Sequence, residues 1–358
     1  MSVDGQEFAG TMPVPERQRF DVAALERYLR EQIPGLAGPL TVEQFRGGQS
    51  NPTFLLTAGD GARYVLRRKP VGQLLPSAHA VEREFRVTRA LHGHRVPVAQ
   101  PICLCEDVNV IGTMFYVMSY VRGRNFWDPR LPGMTPAERA AIYDEMNRVL
   151  VRLHSLDFAL LGLADYGKPG NYFARQIARW SKQYRASETE RIEAMEKLLA
   201  WLPANIPPGD ETALVHGDYR MDNMIFAPDE PRMLALVDWE LSTLGHPLAD
   251  FSYHVMLWRV ATGEIPGLKG VDLAGLGIPT EAAYVAAYCE RTGRAPIEPE
   301  VWEFCMAYNL FRIACIRQGI MRRVLEGTAA SRHAREAGAR ARETAELAWR
   351  QVEEHLGG

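Results

Sequence analysis

The sequence predicts an α+β fold in which short β-strands come first and helices dominate the rest of the chain. Short apolar runs bounded by turn residues follow one another between residues 40 and 121, as in an antiparallel sheet. From residue 125 onward, apolar residues recur at three- and four-residue steps, as in helices. One predicted hairpin, within residues 214–240, interrupts the helices and has polar residues at its ends.

The individual elements follow from local signals along the chain. Residues 1–20 are polar, and we expect them to be mobile. Asp21 is a suitable N-cap for a helix that ends near residue 32. Thr135, Pro136 and Glu138 form a helix-start signature that predicts a helix to about residue 155. We further expect strands within residues 40–56, 62–68 and 96–121, helices over 79–91 and 301–325, and a charged amphipathic tail helix over 331–356 that packs on the large lobe or forms a homodimer interface.

The stretch from residue 214 to 240, LVHGDYRMDNMIFAPDEPRMLALVDWE, carries the most chemical information. Asp218 closes a His-Gly-Asp triplet, Asn223 follows five residues later, and Asp238 ends the second apolar run. A hairpin would bring Asn223 and Asp238 to one site, where their oxygens suit Mg²⁺. The spacing from Asp218 to Asn223 resembles that of the protein-kinase catalytic loop. Phosphoryl transfer needs such a cation and a carboxylate that orients a hydroxyl and accepts its proton. We therefore predict Asp218, Asn223 and Asp238 as catalytic residues, with Asn223 and Asp238 as metal ligands.

The same residues resemble the aminoglycoside phosphotransferase and choline kinase superfamily. HGDYRMDN followed by VDWE carries the superfamily pattern, while LVDWELSTLGHPLADFSY and YVLRRKP resemble the branch associated with acyl-CoA dehydrogenases. The resemblance implies a two-lobed protein-kinase-like fold, with a small antiparallel β-sheet lobe and a larger, mainly helical lobe. It places a nucleotide-binding lobe at residues 21–121 and a catalytic and substrate lobe at residues 122–358. It also implies ATP and Mg²⁺ as cofactors and a small-molecule hydroxyl as phosphate acceptor.

The resemblance further indicates which residues hold the nucleotide. Gly48, Ser50 and Asn51 lie in a glycine-containing turn between two strands, where backbone and side-chain N–H groups can face phosphate oxygens. Ser119 and Val121 lie where kinase-like folds join their lobes and bind the adenine edge.

A basic residue of the next strand is expected at the phosphates. Arg67 stands where kinases place a phosphate-binding lysine, and Glu84 on the following helix is its expected partner. Lys69 is the alternative for the phosphate contact, and Glu82 is the alternative for the acidic partner. The sequence leaves both choices open.

Other polar residues are assigned supporting or substrate roles. Asp250 lies in an apolar stretch where an unpaired carboxylate would be costly, and related folds use such an Asp to hold the catalytic loop. His216 is assigned the same supporting role. The expected substrate contacts are Tyr172, Arg175, Arg179 and Glu240.

The sequence gives less information about the phosphate acceptor than about the reaction. Arg179, Arg312 and Arg317 favour an anionic acceptor, and the branch association suggests a hydroxyacyl-CoA or a hydroxy acid. An aminoglycoside or choline-like small-molecule kinase is one alternative, and a nucleotide-binding pseudokinase scaffold is another. A metal-dependent hydrolase would need further ligands beside Asp218, Asp238 and His216.

Composition sets outer limits on function. A net charge of −3 gives no reason to expect a nucleic acid partner or binding to an anionic membrane. No apolar run approaches the roughly 20 residues of a transmembrane helix, and the first 18 residues lack the apolar region of a signal peptide. The five cysteines are an odd number in apolar surroundings, so we expect free thiols and a cytoplasmic protein.

Overall fold

The small lobe is built on a six-stranded antiparallel sheet. The computed structural model of the chain describes residues 10–46, 51–71, 79–261, 267–329 and 333–356. The strands follow the order β1-β2-β3-β4-β6-β5 across the sheet. They are β1 (Thr11–Pro13), β2 (Thr41–Phe45), β3 (Thr53–Thr57), β4 (Arg63–Arg68), β5 (Pro101–Cys105) and β6 (Phe115–Ser119), accompanied by helices α1 (Val22–Gln32) and α2 (Val81–Leu91).

Each face of this sheet packs against one of the two helices. Leu25 of α1 is fully buried in the same cluster as Leu66 of β4. On the other face, Phe85 of α2 packs with Tyr116 of β6. Successive residues of a strand point to opposite faces, so Arg67 lies on the α2 face while Leu66 lies on the α1 face. This alternation brings Arg67 to the helix that carries its expected partner.

The predicted helix starts are confirmed. The side chain of Asp21 accepts a hydrogen bond from the Ala24 N–H at 2.9 Å. Thr135 and Glu138 form the reciprocal hydrogen bonds of a capping box. The expected mobility of residues 1–20 does not extend to Thr11–Pro13, because these residues pair with β2. The first nine residues lie outside the described part of the chain.

The large lobe consists mainly of helices arranged around a long central one. Two short antiparallel pairs lie at its junction with the small lobe, β7 (Ala213–Val215) with β10 (Thr243–Gly245) and β8 (Met224–Phe226) with β9 (Met233–Leu236). Its helices are α3 (Pro136–His154), α4 (Tyr172–Ser187), α5 (Glu193–Ala204), α6 (Pro247–Val255), α7 (Leu273–Leu276), α8 (Glu281–Thr292), α9 (Pro299–Leu325), α10 (Ala334–Ala339) and α11 (Ala341–Leu356).

The tail helix packs on the large lobe, which was one of the two arrangements expected for it. Helix α11 lies against α9 and α5. Ala345 and Ala348 are fully buried in this contact, because small side chains let the helix axes approach closely. Among the described residues, no helix is both long and apolar enough to cross a membrane. All five cysteines are buried free thiols.

Candidate active site

The loop after β7 carries Asp218 and has a tightly constrained backbone. Gly217 adopts a φ of +82°, and a Cβ atom at this position would lie 2.5 Å from the Leu241 carbonyl oxygen. Only glycine adopts such a conformation without strain, and no side chain fits between the two segments. The Gly of the His-Gly-Asp triplet is therefore required by the backbone.

Asp250 holds this loop from beneath. Its carboxylate accepts hydrogen bonds from the backbone N–H groups of His216 at 2.7 Å and Gly217 at 2.8 Å. The ring of His154 lies 3.2 Å from the same carboxylate. Burial acts to raise the pKa of Asp250, but the His154 contact and the other loop interactions outweigh it and lower the pKa below its usual range. Asp250 is thus a buried, ionised carboxylate whose partners are the loop backbone and His154.

His216 links the two segments that carry the acidic residues. Its Nε2 lies 3.0 Å from the Val237 carbonyl oxygen, and its Nδ1 accepts a hydrogen bond from the Asp218 N–H at 3.3 Å. These partners require the proton on Nε2, because a carbonyl oxygen can only accept. The ring is fully buried against Trp239. The neutral imidazole therefore acts as a structural connection between the residues next to Asp218 and Asp238.

The Asp218 carboxylate is oriented by two donors. The Tyr253 hydroxyl donates to Oδ1 at 2.6 Å, and the Asn223 amide nitrogen donates to Oδ2 at 3.0 Å. The Arg220 Nε also lies 3.2 Å from Oδ1. Burial, reinforced by the charge of Asp218, raises the pKa of Tyr253, so its hydroxyl remains a donor at neutral pH. Each carboxylate oxygen keeps lone-pair capacity for a substrate hydroxyl.

The predicted hairpin brings Asn223 and Asp238 together. Met224 pairs with Leu236 across β8 and β9, and the Val237 N–H donates to the Asn223 carbonyl oxygen at 2.9 Å. Asp238 follows at once, with a left-handed backbone at φ +64°. Asp is one of the few residues that tolerates this region. The turn directs the chain away from the hairpin directly after its end.

Arg67 joins the two lobes at this point. Its Nε lies 2.8 Å from a Glu84 carboxylate oxygen, within the small lobe. Its Nη2 lies 2.7 Å from Asp238 and 3.2 Å from Glu240, both in the large lobe. The Arg67 and Glu84 side chains are both buried, so their ion pair is shielded from water and is stronger than a surface pair. Asp238 and Glu240 are partly exposed.

Glu84 is held by three partners at once. Besides Arg67, the Asn51 amide donates to it at 2.9 Å and the Tyr116 hydroxyl at 3.2 Å. Burial raises the pKa of the Glu84 carboxyl to about 7, although the charge of Arg67 acts in the opposite direction. Its three hydrogen-bonding partners fix the Glu84 carboxyl in place.

The geometry settles the acidic partner of each basic residue on the small lobe. Arg67 pairs with Glu84, whereas Lys69 pairs with Glu82 at 2.8 Å. The phosphate contact of Arg67 stays a prediction. Asn51 was expected at the phosphates, but its side chain bonds Glu84 and lies 2.9 Å from His79 Nδ1. Asn51 is also fully buried. Its position is that of a support for Glu84.

Helix α2, which carries Glu84, is anchored to the large lobe. Arg83 donates to the Tyr166 carbonyl oxygen at 2.7 Å and lies over the Tyr166 ring. Arg86 pairs with Asp165 and donates to the Gly162 carbonyl oxygen at 2.7 Å. These contacts fix the helix, and with it the carboxylate that positions Arg67.

The profile of the Phosphotransferase enzyme family matches residues 41–302 of the chain. The chain belongs to this phosphotransferase family. A Ralstonia eutropha JMP134 protein provisionally named an aminoglycoside phosphotransferase is 56% identical, with a TM-score of 0.86 over 94% of this chain and 99% of that one. A thermostable aminoglycoside phosphotransferase APH(4)-Ia mutant, solved with ADP and hygromycin B, has a TM-score of 0.59 at 16% identity, over 92% of this chain and 98% of that one. At that identity the likeness concerns the fold alone, which is the predicted kinase-like one.

The family relationship extends to longer proteins. Acyl-CoA dehydrogenase family member 10 of Mus musculus is 46% identical over 342 residues, which cover 95% of this chain. The chain spans only 32% of the length of that relative. The predicted resemblance to the branch associated with acyl-CoA dehydrogenases is thereby confirmed.

The oxygen atoms of Asn223 and Asp238 suit the predicted magnesium ion. The Asn223 amide nitrogen bonds Asp218, so its amide oxygen is the atom that would face a cation. The Asp238 side chain is 33% exposed, so its carboxylate is open to the cleft. No group of three or more His, Cys, Asp or Glu side chains in the described ranges is arranged to hold a metal. Mg²⁺ bound with nucleotide needs only one or two carboxylates plus phosphate oxygens, so this donor set fits.

Of the other residues predicted to contact the nucleotide, the structure describes Ser119 and Val121. Gly48 and Ser50 lie outside the described residues. The Ser119 N–H donates to the Gln100 carbonyl oxygen at 2.8 Å, and its hydroxyl accepts from the Gln100 N–H at 3.0 Å. The hydrogen-bonding groups of Ser119 thus serve the β5–β6 edge. Val121 lies two residues beyond β6, in the connection between the lobes, and remains a candidate for the adenine contact.

The four residues predicted to contact the substrate have different surroundings. Arg175 donates to the Lys168 carbonyl oxygen at 2.5 Å, and Glu240 pairs with Arg67 beside Asp238. Tyr172 and Arg179 lie on α4. Burial raises the pKa of Tyr172, and the positive charges of Arg312 and Arg179 act to lower it. Tyr172 and Arg179 therefore stay candidates for the acceptor side, whereas the position of Glu240 favours the phosphate side.

The sequence did not predict two contacts at the catalytic loop, those of Tyr253 and Arg312. Tyr253 contacts Asp218 directly, and its place one helical turn after Asp250 was the available signal. Arg312 was expected near the acceptor, but its donation to the Gly217 carbonyl oxygen at 2.9 Å was not. The sequence grouped Arg317 with it, whereas Arg317 contacts Thr344 of the tail helix.

Proposed function

We propose that the chain is an ATP-dependent phosphotransferase that moves the γ-phosphate to a hydroxyl of a small molecule. Asp218 orients this hydroxyl and accepts its proton. Asn223 and Asp238 hold Mg²⁺ when it is bound, and the ion offsets negative charge on the phosphates. Arg67 contacts the phosphates, while Glu84 fixes its guanidinium. Family membership supports phosphotransfer to a hydroxyl in general, and the roles of individual residues are our proposal.

One observation carries the proposal. Asp218 and Asn223 share one loop, whereas Asp238 and Arg67 come from two other segments, yet each contacts another member of this group or its immediate neighbours. Little covalent chemistry is required of a phosphotransferase, because positioning and charge stabilisation supply most of the rate. A carboxylate base, an amide oxygen, a cleft-facing carboxylate and a buried guanidinium provide those functions. The complete set favours a working enzyme over a pseudokinase scaffold.

For the acceptor we propose a hydroxyacyl-CoA or a hydroxy acid. The name of the mouse relative, an acyl-CoA dehydrogenase family member, supports an acyl substrate. The buried Arg312 next to the catalytic loop supports an acceptor that carries negative charge, rather than a polycation such as an aminoglycoside.

The proposal is tested in two steps. Titration calorimetry should first detect Mg²⁺-dependent ATP binding that Asp238→Ala weakens. Incubation with radiolabelled ATP and a panel of hydroxyacyl-CoAs and hydroxy acids should then label the acceptor, with Asp218→Asn as the inactive control. Binding of ATP without Mg²⁺ dependence, or equal labelling by Asp218→Asn, would contradict the assigned roles.

A further inference from the structure

Arg312 occupies an unusual position for a charged residue. It lies in the long central helix α9 and is only 9% exposed. A guanidinium has five N–H groups, yet within the described part of the chain its one hydrogen-bond acceptor is the Gly217 carbonyl oxygen. No carboxylate of the described residues forms an ion pair with it, although the negative charge of Asp218 acts on it from a longer distance and favours its charged form. Burying a charge without a directly paired carboxylate is costly.

Aromatic rings compensate only part of that cost. The guanidinium carbon lies 5.1 Å from the centre of the Tyr253 ring and 5.8 Å from the centre of the Trp180 ring. Cation–π contacts stabilise a desolvated guanidinium, but a ring face does not replace an oxygen acceptor for its N–H groups. This aromatic cage, formed by Tyr253 and Trp180, therefore stabilises the cation but leaves most of its N–H groups available.

A second donor beside Arg312 also lacks a partner. The indole N–H of Trp180 is buried and has no hydrogen-bond partner among the described residues. It belongs to the ring that Arg312 faces. Two donors on neighbouring side chains, one of them charged, form an environment that an anionic oxygen group would complete.

The location of the cage connects it to the reaction. Arg312 donates to the carbonyl oxygen of Gly217, the residue before Asp218. The Tyr253 ring that flanks Arg312 carries the hydroxyl that donates to Asp218. An anion bound by Arg312 would therefore belong to the molecule whose hydroxyl reaches Asp218.

We infer that Arg312 and Trp180 bind an anionic group of the phosphate acceptor and select acceptors that carry one. This inference rests on the proposed phosphotransferase function, because it concerns the same site. A carboxylate of a hydroxy acid and a phosphate of a CoA ester share the required chemistry. Arg312 is a specificity-determining residue in either case.

The experiment compares charged acceptors with neutral counterparts. The panel contains hydroxyhexanoates with the hydroxyl on successive carbons, their methyl esters, their CoA thioesters and their N-acetylcysteamine thioesters. Affinity is measured by titration calorimetry in the presence of Mg²⁺ and ADP. Wild-type protein should bind one charged series at least about tenfold more tightly than its neutral counterpart. Preference for the free acid identifies the carboxylate, and preference for the CoA ester identifies the phosphate.

Three variants test the residues themselves. Arg312→Gln should reduce the preference to within about threefold, while Trp180→Phe, which keeps a ring and removes the N–H, should reduce it partly. Arg317→Gln is the matched control, since it removes an arginine from the same helix at a contact with Thr344, and it should keep the full preference. Mg²⁺-ATP affinity should be unchanged in all three, which separates loss of anion binding from loss of the fold.

Several results would overturn the inference. They are equal affinity of wild type for charged and neutral members, absence of binding by the whole panel, and a preference that survives Arg312→Gln. Failure of Mg²⁺-ATP binding in wild type would instead reject the proposed function, so the two failures are distinguishable.

Discussion

Asp250→Asn tests whether the buried carboxylate beneath the catalytic loop is needed to hold Asp218 in place. The carboxylate accepts hydrogen bonds from the N–H groups of His216 and Gly217 and contacts His154. An amide offers one oxygen and one NH₂ group, so at least one buried donor would face another donor. An unsatisfied buried donor costs about 1–3 kcal/mol, and charge-assisted hydrogen bonds are roughly twice as strong as neutral ones. We therefore expect a loss of about 3–5 kcal/mol in the free energy of unfolding.

The same substitution should slow the reaction more than it weakens nucleotide binding. A misplacement of about 1 Å at a positioned group costs roughly 10²-fold in rate, and the Asp218 loop is the segment that Asp250 holds. Urea unfolding followed by tryptophan fluorescence gives the stability. Steady-state phosphate transfer from ATP to the acceptor that the labelling panel identifies gives kcat and KM under folding conditions. Ser252→Ala is the matched control. Ser252 lies on the same helix and is buried, but its hydroxyl bonds Leu248 and Asn309.

The pH dependence of the stability difference has a definite sign. The pKa of Asp250 is lowered in the folded protein, so its contribution to stability is present above the unfolded-state pKa of about 3.9. It is lost as the pH falls through the folded-state pKa. The deficit of Asp250→Asn should thus be constant near neutral pH and shrink below about pH 4. The reasoning is refuted if Asp250→Asn is destabilised but keeps the kcat of Ser252→Ala.

Three further predictions concern the groups at the lobe junction. Asp218→Asn should lower turnover at least about 10²-fold, because the proton acceptor is lost, while calorimetry shows unchanged Mg²⁺-ATP affinity. Asp238→Ala should weaken Mg²⁺-ATP binding itself by about tenfold or more, because a metal ligand is lost. Arg67→Ala and Glu84→Ala should cost less together than the sum of the single losses by more than about 0.5 kcal/mol, and Arg67→Lys should keep partial activity, since lysine lacks the planar fork.

Each of these predictions has a contradicting result. Unchanged turnover in Asp218→Asn would remove its assignment as base, and wild-type affinity in Asp238→Ala would remove it as metal ligand. Full additivity of the Arg67 and Glu84 changes would mean that the ion pair does not position the phosphate contact. Lys69→Ala is the control for that cycle, because Lys69 pairs with Glu82, and its ATP affinity should match the wild type.

Much of the fold and the centre of the site follow from the sequence, because the signals are local. The hairpin that joins Asn223 to Asp238 is encoded by two short apolar runs and a turn. The spacing along the chain is short in this hairpin, so local signals are enough to predict it. For the Arg67–Glu84 pair, the resemblance to kinases supplied the positions, because strand alternation leaves Lys69 on the same face as Arg67.

Other site features were decided by the tertiary structure. Asn51 was expected to contact phosphate as part of the glycine-containing turn, yet the packing of α2 against the sheet directs it to Glu84, 33 residues away. Tyr253 reaches Asp218 across 35 residues, and Arg312 reaches Gly217 across 95. A helical pattern defines which residues share a face, but it does not define which loop that face will meet. The loop that each face meets depends on how α6 and α9 pack together beneath the catalytic loop. Only the assembled large lobe brings the buried Tyr253 and Arg312 to the turn that carries Asp218.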